Sequence, residues 1–130
     1  MPSLTRAQRL AERIREVLAE LLLRETSDPR LSSVSVTEVR VDREFAHASI
    51  YVSVLDADLT RRGEVMRALQ GARGFLRHEL AVRIPIRTFP QLRFIWDDLP
   101  DRAEHLQTLL DAIGPHSNQA GGVKDNSKNG

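Results

Sequence analysis

The chain contains no cysteine, and its only lysines are Lys124 and Lys128. Without cysteine, disulfides, thiolate zinc sites and cysteine nucleophiles are excluded, and the four histidines are too scattered to suggest a metal site. No apolar run approaches the roughly 20 residues of a membrane span, and the charged N-terminal segment lacks the apolar core of a signal peptide. We therefore expect a cytoplasmic protein with no membrane contact.

The usual marks of an enzyme are also missing. The sequence has no GxxxxGK[ST] phosphate loop, nucleophile–base pair or histidine cluster, so catalysis would depend on Asp97, Asp98, His78 or His105 alone. The two aspartates stand between a predicted strand and a helix, where helix capping explains them better than paired-carboxylate or metal chemistry. We predict that the protein is not an enzyme.

Aromatic residues are scarce, with only six among 130 residues. An RNA-stacking platform is therefore not evident. Tyr51 could stack on a base, but it alternates with core residues in a predicted strand, which favours a structural role.

The length of 130 residues suits one domain with its own core.

The net charge of +1 conceals an uneven distribution. Residues 61–95, which we call the basic segment, contain eight arginines and two acidic residues, or +6. Residues 1–60 contain eight arginines and ten acidic residues, or −2, and residues 96–113 contain one arginine and five acidic residues, or −4. Such a polarised surface can steer a polyanion, although solvated arginines on an exposed helix explain the charge equally well.

Apolar periodicity predicts a first helix over residues 5–24, opened by a capping box of Thr5 and Gln8. A turn at Asp28-Pro29-Arg30 follows. Alternation predicts a β-hairpin from residues 33–41 and 46–55, and the valines of the first strand change parity near Thr37-Glu38. A one-residue bulge there would return all of these valines to the core face.

The next helical segment carries an apolar stripe over residues 65–80 that passes through Gly71-Ala72-Arg73-Gly74. Thr60 is its predicted cap. Each glycine costs about 1 kcal/mol relative to alanine inside a helix. We therefore predict two helices that meet at a kink over residues 72–74, with Arg73 and Arg77 on one face beside it. Such a bend would let backbone amides approach an RNA phosphate.

Pro85 should end this helix pair, and a third strand is predicted over residues 92–96. A last helix over residues 98–113 stops at Gly114-Pro115. Residues 116–130 are polar and glycine-rich, which predicts a disordered tail after a domain of residues 1–115.

This order of elements is that of a type II KH domain, an RNA-binding module. We predict an α+β, KH-like fold with a three-stranded sheet and helices on one face, with helix-kink-helix in place of a standard GxxG loop. Gly71 and Gly74 match GxxG literally, but Arg77 stands where a standard KH helix tends to be apolar. Both a standard KH groove and a KH-like scaffold with another use remain open.

Five separated blocks resemble the bacterial ribosome-binding factor A family: Asp28-Pro29-Arg30-Leu31, Val36-Thr37-Glu38-Val39, residues 48–54, residues 74–80, and residues 90–98. The resemblance extends from about residue 10 to 113. The Ala-x-Gly kink that replaces the KH GxxG turn in this family matches Ala72-Arg73-Gly74, whereas Gly71 departs from it by restoring a formal GxxG.

The resemblance implies a monomeric ribosome biogenesis factor. It would bind the immature 30S subunit and 16S rRNA, need no cofactor, bind no DNA, and support late 16S rRNA maturation including 5′-end processing. The basic segment is the predicted RNA-binding site, through Arg67, Ala72, Arg73, Gly74, Arg77, Arg83, Arg87 and Arg93. The alternative is a protein–protein adaptor that presents this basic face to an acidic partner without direct RNA binding.

Overall fold

The computed structural model describes residues 4–24, 26–99, 107 and 109–112. Its elements follow the order α1 (Arg6–Arg24), α2 (Pro29–Ser32), β1 (Ser35–Val41), β2 (His47–Ser53), α3 (Leu59–Arg83) and β3 (Gln91–Trp96). The sheet order is β1-β2-β3, with the first pair antiparallel and the second parallel. Helices α1 and α3 contact each other and the sheet, which confirms the predicted α+β architecture.

Helix α1 begins with the predicted capping box. The Thr5 amide donates to Gln8 Oε1 at 2.8 Å, and the Gln8 amide donates to Thr5 Oγ1 at 3.1 Å. Two amides that the helix itself leaves unpaired are thereby satisfied. The apolar stripe of this helix is buried: Leu10, Ala11, Ile14, Val17, Leu18, Leu21 and Leu22.

Strand β1 contains the predicted bulge. Val36 pairs with Val52 while Glu38 pairs with Tyr51, so that Thr37 is the extra residue. Valines on both sides of the bulge consequently pack against the core.

The bulge is tied to the end of β3. The Thr37 hydroxyl lies 2.6 Å from Asp97 Oδ2 and 3.2 Å from the Tyr51 carbonyl oxygen, and its single proton can be donated to only one of them at a time. The Asp97 amide donates to the Val52 carbonyl at 2.8 Å. Asp97 therefore bonds within the sheet, a role beyond the predicted helix cap.

The β1–β2 connection is closed by one carboxylate. Asp42 Oδ1 accepts from the amides of Ala46 at 2.7 Å and His47 at 3.2 Å, and Phe45 takes a left-handed φ of 60° between them. The hydrogen bond that the His47 backbone amide donates is the largest cause that lowers the pKa of Asp42 below its ordinary value. The hairpin predicted from sequence is confirmed, with a turn held by Asp42.

The structure corrects the prediction of two helices that meet at residues 72–74. Helix α3 runs without interruption from Leu59 to Arg83. Its inward side carries Val65, Ala68, Leu69, Leu76 and Leu80, all buried, with Ala72 partly buried between them. These spacings of three and four residues fit one continuous helix, and their burial outweighs the cost of the glycines.

Two smaller predictions are also corrected. Asp58 rather than Thr60 caps α3, since Asp58 Oδ1 accepts from the Arg61 amide at 2.8 Å. The predicted turn at residues 28–30 opens the short helix α2, which Asp28 caps and Pro29 begins.

Helix α3 ends before Pro85 as predicted, and β3 follows Pro90. Gln107 and residues 109–112 are helical, and most of the predicted helix over residues 98–113 lies outside the described residues. The predicted tail of residues 116–130 lies wholly outside them.

Candidate nucleic-acid interface

Most arginines of residues 1–60 are already engaged within the protein. Six of the eight contact a carboxylate, a carbonyl or an aromatic ring: Arg6, Arg9, Arg13, Arg15, Arg30 and Arg40. These contacts hold the guanidinium groups close to the protein surface and partly offset their charge.

The basic segment differs in this respect. Four of its eight arginines are exposed and make no ion pair or hydrogen bond with the described residues: Arg67, Arg73, Arg87 and Arg93. Of its two carboxylates, Glu79 pairs with Arg83 and not with one of these four. These four guanidinium groups are therefore available to an anionic partner.

Arg77 has a different task. Its Nε donates to the Pro90 carbonyl at 3.1 Å and one terminal nitrogen donates to the Phe89 carbonyl at 2.5 Å. Both carbonyls belong to the connection that leads into β3, so the half-buried Arg77 holds that connection against α3. This explains why an arginine occupies a position where a standard KH helix tends to be apolar.

We expect Arg77→Met to lower the free energy of unfolding by about 1–3 kcal/mol, because it leaves two partly buried carbonyls without a donor. Arg73→Met is the matched control in the same helix, and its exposed position predicts a change within about 0.5 kcal/mol. Urea unfolding of both variants measures the difference. Equal stability of the two variants would contradict the structural role of Arg77.

The predicted kink residues do not form a backbone clamp. Within a continuous helix the amides of residues 72–74 are committed to carbonyls four residues earlier. Ala72 packs partly against the core, whereas Gly74 is exposed with open space where a Cβ would stand. The capacity for phosphate contact therefore lies in side chains, not in exposed amides.

The four available arginines are distributed over two sides of the domain. Arg67 and Arg73 both lie on the solvent side of α3, about 120° apart around the helix axis. Arg87 belongs to the connection before β3. Arg93 alternates with the buried Leu92 and therefore lies on the sheet face opposite the helices. The structure thus brings Arg93 to a different surface from Arg67.

Arg93 shares its sheet face with Tyr51. The register places Arg93 opposite Ser49, which in turn pairs with Arg40. The Arg40 guanidinium lies 5.5 Å from the centroid of the Tyr51 ring, which is a cation–π contact. Tyr51 is half-buried on this open face. Its ring contacts Arg40 and is not part of the core.

A groove between α2 and α3 was not anticipated from the sequence. It has a volume of about 480 Å³, and its walls come from residues 26–28, 30 and 31 and from one side of α3. Leu31, Ala68 and Ala72 form an apolar floor, and Arg67 and Phe75 stand along the α3 wall. In the sequence, only the α3 wall of this groove is indicated, by the four-residue spacing of Arg67, Gly71 and Phe75, which places all three on one helix face.

The opposite wall carries an ion pair. An Arg30 terminal nitrogen lies 2.7 Å from Asp28 Oδ2, and Arg30 Nε also contacts both carboxylate oxygens. These bonds lower the pKa of Asp28, with the side-chain bond to Arg30 as the largest cause. Asp28 is therefore ionised and largely neutralised by its neighbour.

Metal-binding clusters and membrane-spanning helices are not found among the described residues. The part of the chain that the structure describes holds no group of three or more His, Asp or Glu side chains able to bind a metal. None of its helices combines the length and the apolar character of a membrane span.

Comparison with known proteins agrees with the fold and with the motif blocks. A family model described as ribosome-binding factor A matches residues 6–110. The ribosome-binding factor A of Halorhodospira halophila is 41% identical over 110 residues, covering 85% of this chain and 87% of the relative.

A crystal structure and a fitted homology model of relatives show the same fold. The crystal structure of ribosome-binding factor A from Thermus thermophilus has a TM-score of 0.60 and 28% identity, covering 70% of this chain and 96% of that one. A Thermus thermophilus homology model fitted into a cryo-EM map of a 30S–RbfA complex has a TM-score of 0.59 and 28% identity, covering 72% and 97%. The resemblance read from the motif blocks is thereby confirmed, and this chain belongs to the ribosome-binding factor A family.

Proposed function

We propose that this protein binds the free 30S ribosomal subunit and contacts 16S rRNA through the basic segment. The observation that carries the proposal is the set of four exposed arginines that have no partner among the described residues: Arg67, Arg73, Arg87 and Arg93. A relative with the same fold is represented in a 30S–RbfA complex, which supports the subunit as the partner.

The mode of recognition follows from the side chains available. Guanidinium groups suit phosphate oxygens, and structured RNA is recognised largely by shape and by phosphate and 2′-hydroxyl contacts. We infer readout of the rRNA backbone rather than of base edges for most of this interface. The protein then acts as a cytoplasmic, monomeric binding factor in late 16S rRNA maturation, including 5′-end processing, and not as an enzyme.

Co-sedimentation tests this proposal. The full chain is mixed with free 30S subunits, complete 70S ribosomes, protein-free 16S rRNA and the mixed 30S ribosomal proteins, each at low and moderate salt. We expect saturable binding to free 30S subunits and salt-sensitive binding to protein-free rRNA. Binding to the ribosomal proteins together with no affinity for rRNA would instead identify a protein–protein adaptor.

A further inference from the structure

The groove between α2 and α3 combines a cationic side chain, an aromatic side chain and an apolar floor. Arg67 and Phe75 are eight residues apart on α3, which places their Cα atoms about 12 Å apart along the helix. Between them the groove has an apolar floor and a volume of about 480 Å³, within the usual range for small-ligand sites. A cationic end and an aromatic end are thus separated by an open apolar stretch.

The aromatic end is accessible. Phe75 is 45% exposed although it stands beside the buried Leu76 in the same helix. An exposed phenyl ring in a groove can stack on any nucleobase, because every base has a π-face. Phe75 thereby supplies the stacking surface that the scarcity of aromatic residues had argued against.

The cationic end is not neutralised locally. Arg67 has no ion-pair or hydrogen-bond partner among the described residues, and its guanidinium lies beside Gly63, where a Cβ would stand 3.4 Å from its Nη1. On the facing wall, the Asp28 carboxylate is paired with Arg30. The groove therefore presents one free positive charge to a ligand.

The centre of the groove is open because residue 71 has no side chain. No atom lies within 4 Å of the place where a Gly71 Cβ would stand, so neither packing nor a close internal contact requires glycine there. Glycine is unfavourable inside a helix. A larger residue would improve the helix and would occupy the space between Arg67 and Phe75.

We propose that this groove binds an unpaired RNA nucleotide, with its base stacked on Phe75 over the Ala68 and Ala72 floor and its phosphate at Arg67. This inference rests on the proposed rRNA contact and adds to it a site for a single-stranded nucleotide. It lies on the α2 side of α3, whereas Arg77 and the connection it holds lie on the β3 side. A polar side chain of a ribosomal protein is the competing occupant.

Variants of the full chain test the groove. Gly71→Leu fills it, Phe75→Leu removes the stacking ring while keeping an apolar side chain, and Gly74→Leu is the matched control outside the groove. Fluorescence anisotropy with labelled single-stranded hexa-adenylate measures binding, and thermal unfolding measures stability. We expect both groove variants to bind about tenfold or more weakly. Gly71→Leu should keep or raise Tm, and Gly74→Leu should bind as the unmodified chain does.

Four other results would contradict the groove site or separate it from the proposed function. Unchanged hexa-adenylate binding by folded Gly71→Leu overturns the groove site. If hexa-adenylate does not bind the unmodified chain but Gly71→Leu still loses 30S binding, the occupant is a protein side chain and the RNA proposal is wrong. If 30S co-sedimentation persists in both groove variants, the proposed function stands without this site. Absence of 30S binding by the unmodified chain is the separate result that removes the proposed function itself.

Discussion

Changing Arg67, Arg73 and Arg87 together to glutamate is expected to weaken binding to free 30S subunits on the order of 100-fold or more, without unfolding the protein. Each replacement changes the charge by two units, so the net charge of the basic segment falls from +6 to zero. Phosphate contacts and the counterions they release supply most of the affinity expected for such an interface. All three side chains are exposed, which keeps the cost in stability small.

The matched control changes Arg13, Arg24 and Arg43 to glutamate. These arginines are also exposed, and the net charge changes by the same six units, but they lie outside the basic segment. We expect binding within a few-fold of the unmodified chain. Equal losses in the two triple variants would show that total charge, and not its position on α3 and the following connection, governs binding.

Leu76→Ala is expected to destabilise the fold by about 2–5 kcal/mol, whereas Gly74→Ala, two positions earlier, should stabilise it by up to about 1 kcal/mol. Leu76 is fully buried in the stripe of α3, so its truncation leaves a cavity as well as removing apolar burial. Gly74 has open space at its Cβ position and lies in a continuous helix, so alanine fits there without strain.

Chemical denaturation of both variants measures these two changes in the free energy of unfolding. An unchanged dependence of that free energy on denaturant concentration checks that unfolding stays two-state. Opposite signs support one helix that tolerates its glycines because its inward stripe is buried. Destabilisation by Gly74→Ala would show that the backbone at residue 74 needs a conformation that alanine cannot adopt, as the predicted kink requires.

The sequence was sufficient for features that depend on local pattern. The capping box of Thr5 and Gln8 and the bulge at Thr37 were both predicted, because each is specified by residue types a few positions apart. The bulge was inferred from valine parity alone, since one extra residue restores the side chains to a common face.

The break into two helices was predicted wrongly because glycine propensity was weighed without the packing that opposes it. Two glycines cost about 2 kcal/mol together, which the burial of Leu69 and Leu76 against the sheet and α1 readily offsets. Single-residue propensity is a weak guide when a buried stripe crosses the segment.

The candidate site was only partly predictable. Charge counting identified the basic segment but could not separate Arg77, which holds carbonyls near β3, from Arg67 and Arg73, which face solvent. That distinction depends on contacts between residues 12 or 13 positions apart. The groove likewise forms between α3 and residues distant in sequence, so no local pattern contained both of its walls.

The salt dependence of binding to free 30S subunits tests most directly whether arginines of the basic segment contact rRNA phosphates. The dissociation constant of the unmodified chain and of the double variant Arg73→Gln/Arg87→Gln is measured over a series of salt concentrations. If both arginines contact phosphates, the double variant loses about two units of the slope of log Kd against log salt concentration. An unchanged slope, with binding weakened or not, would contradict phosphate contact by these side chains.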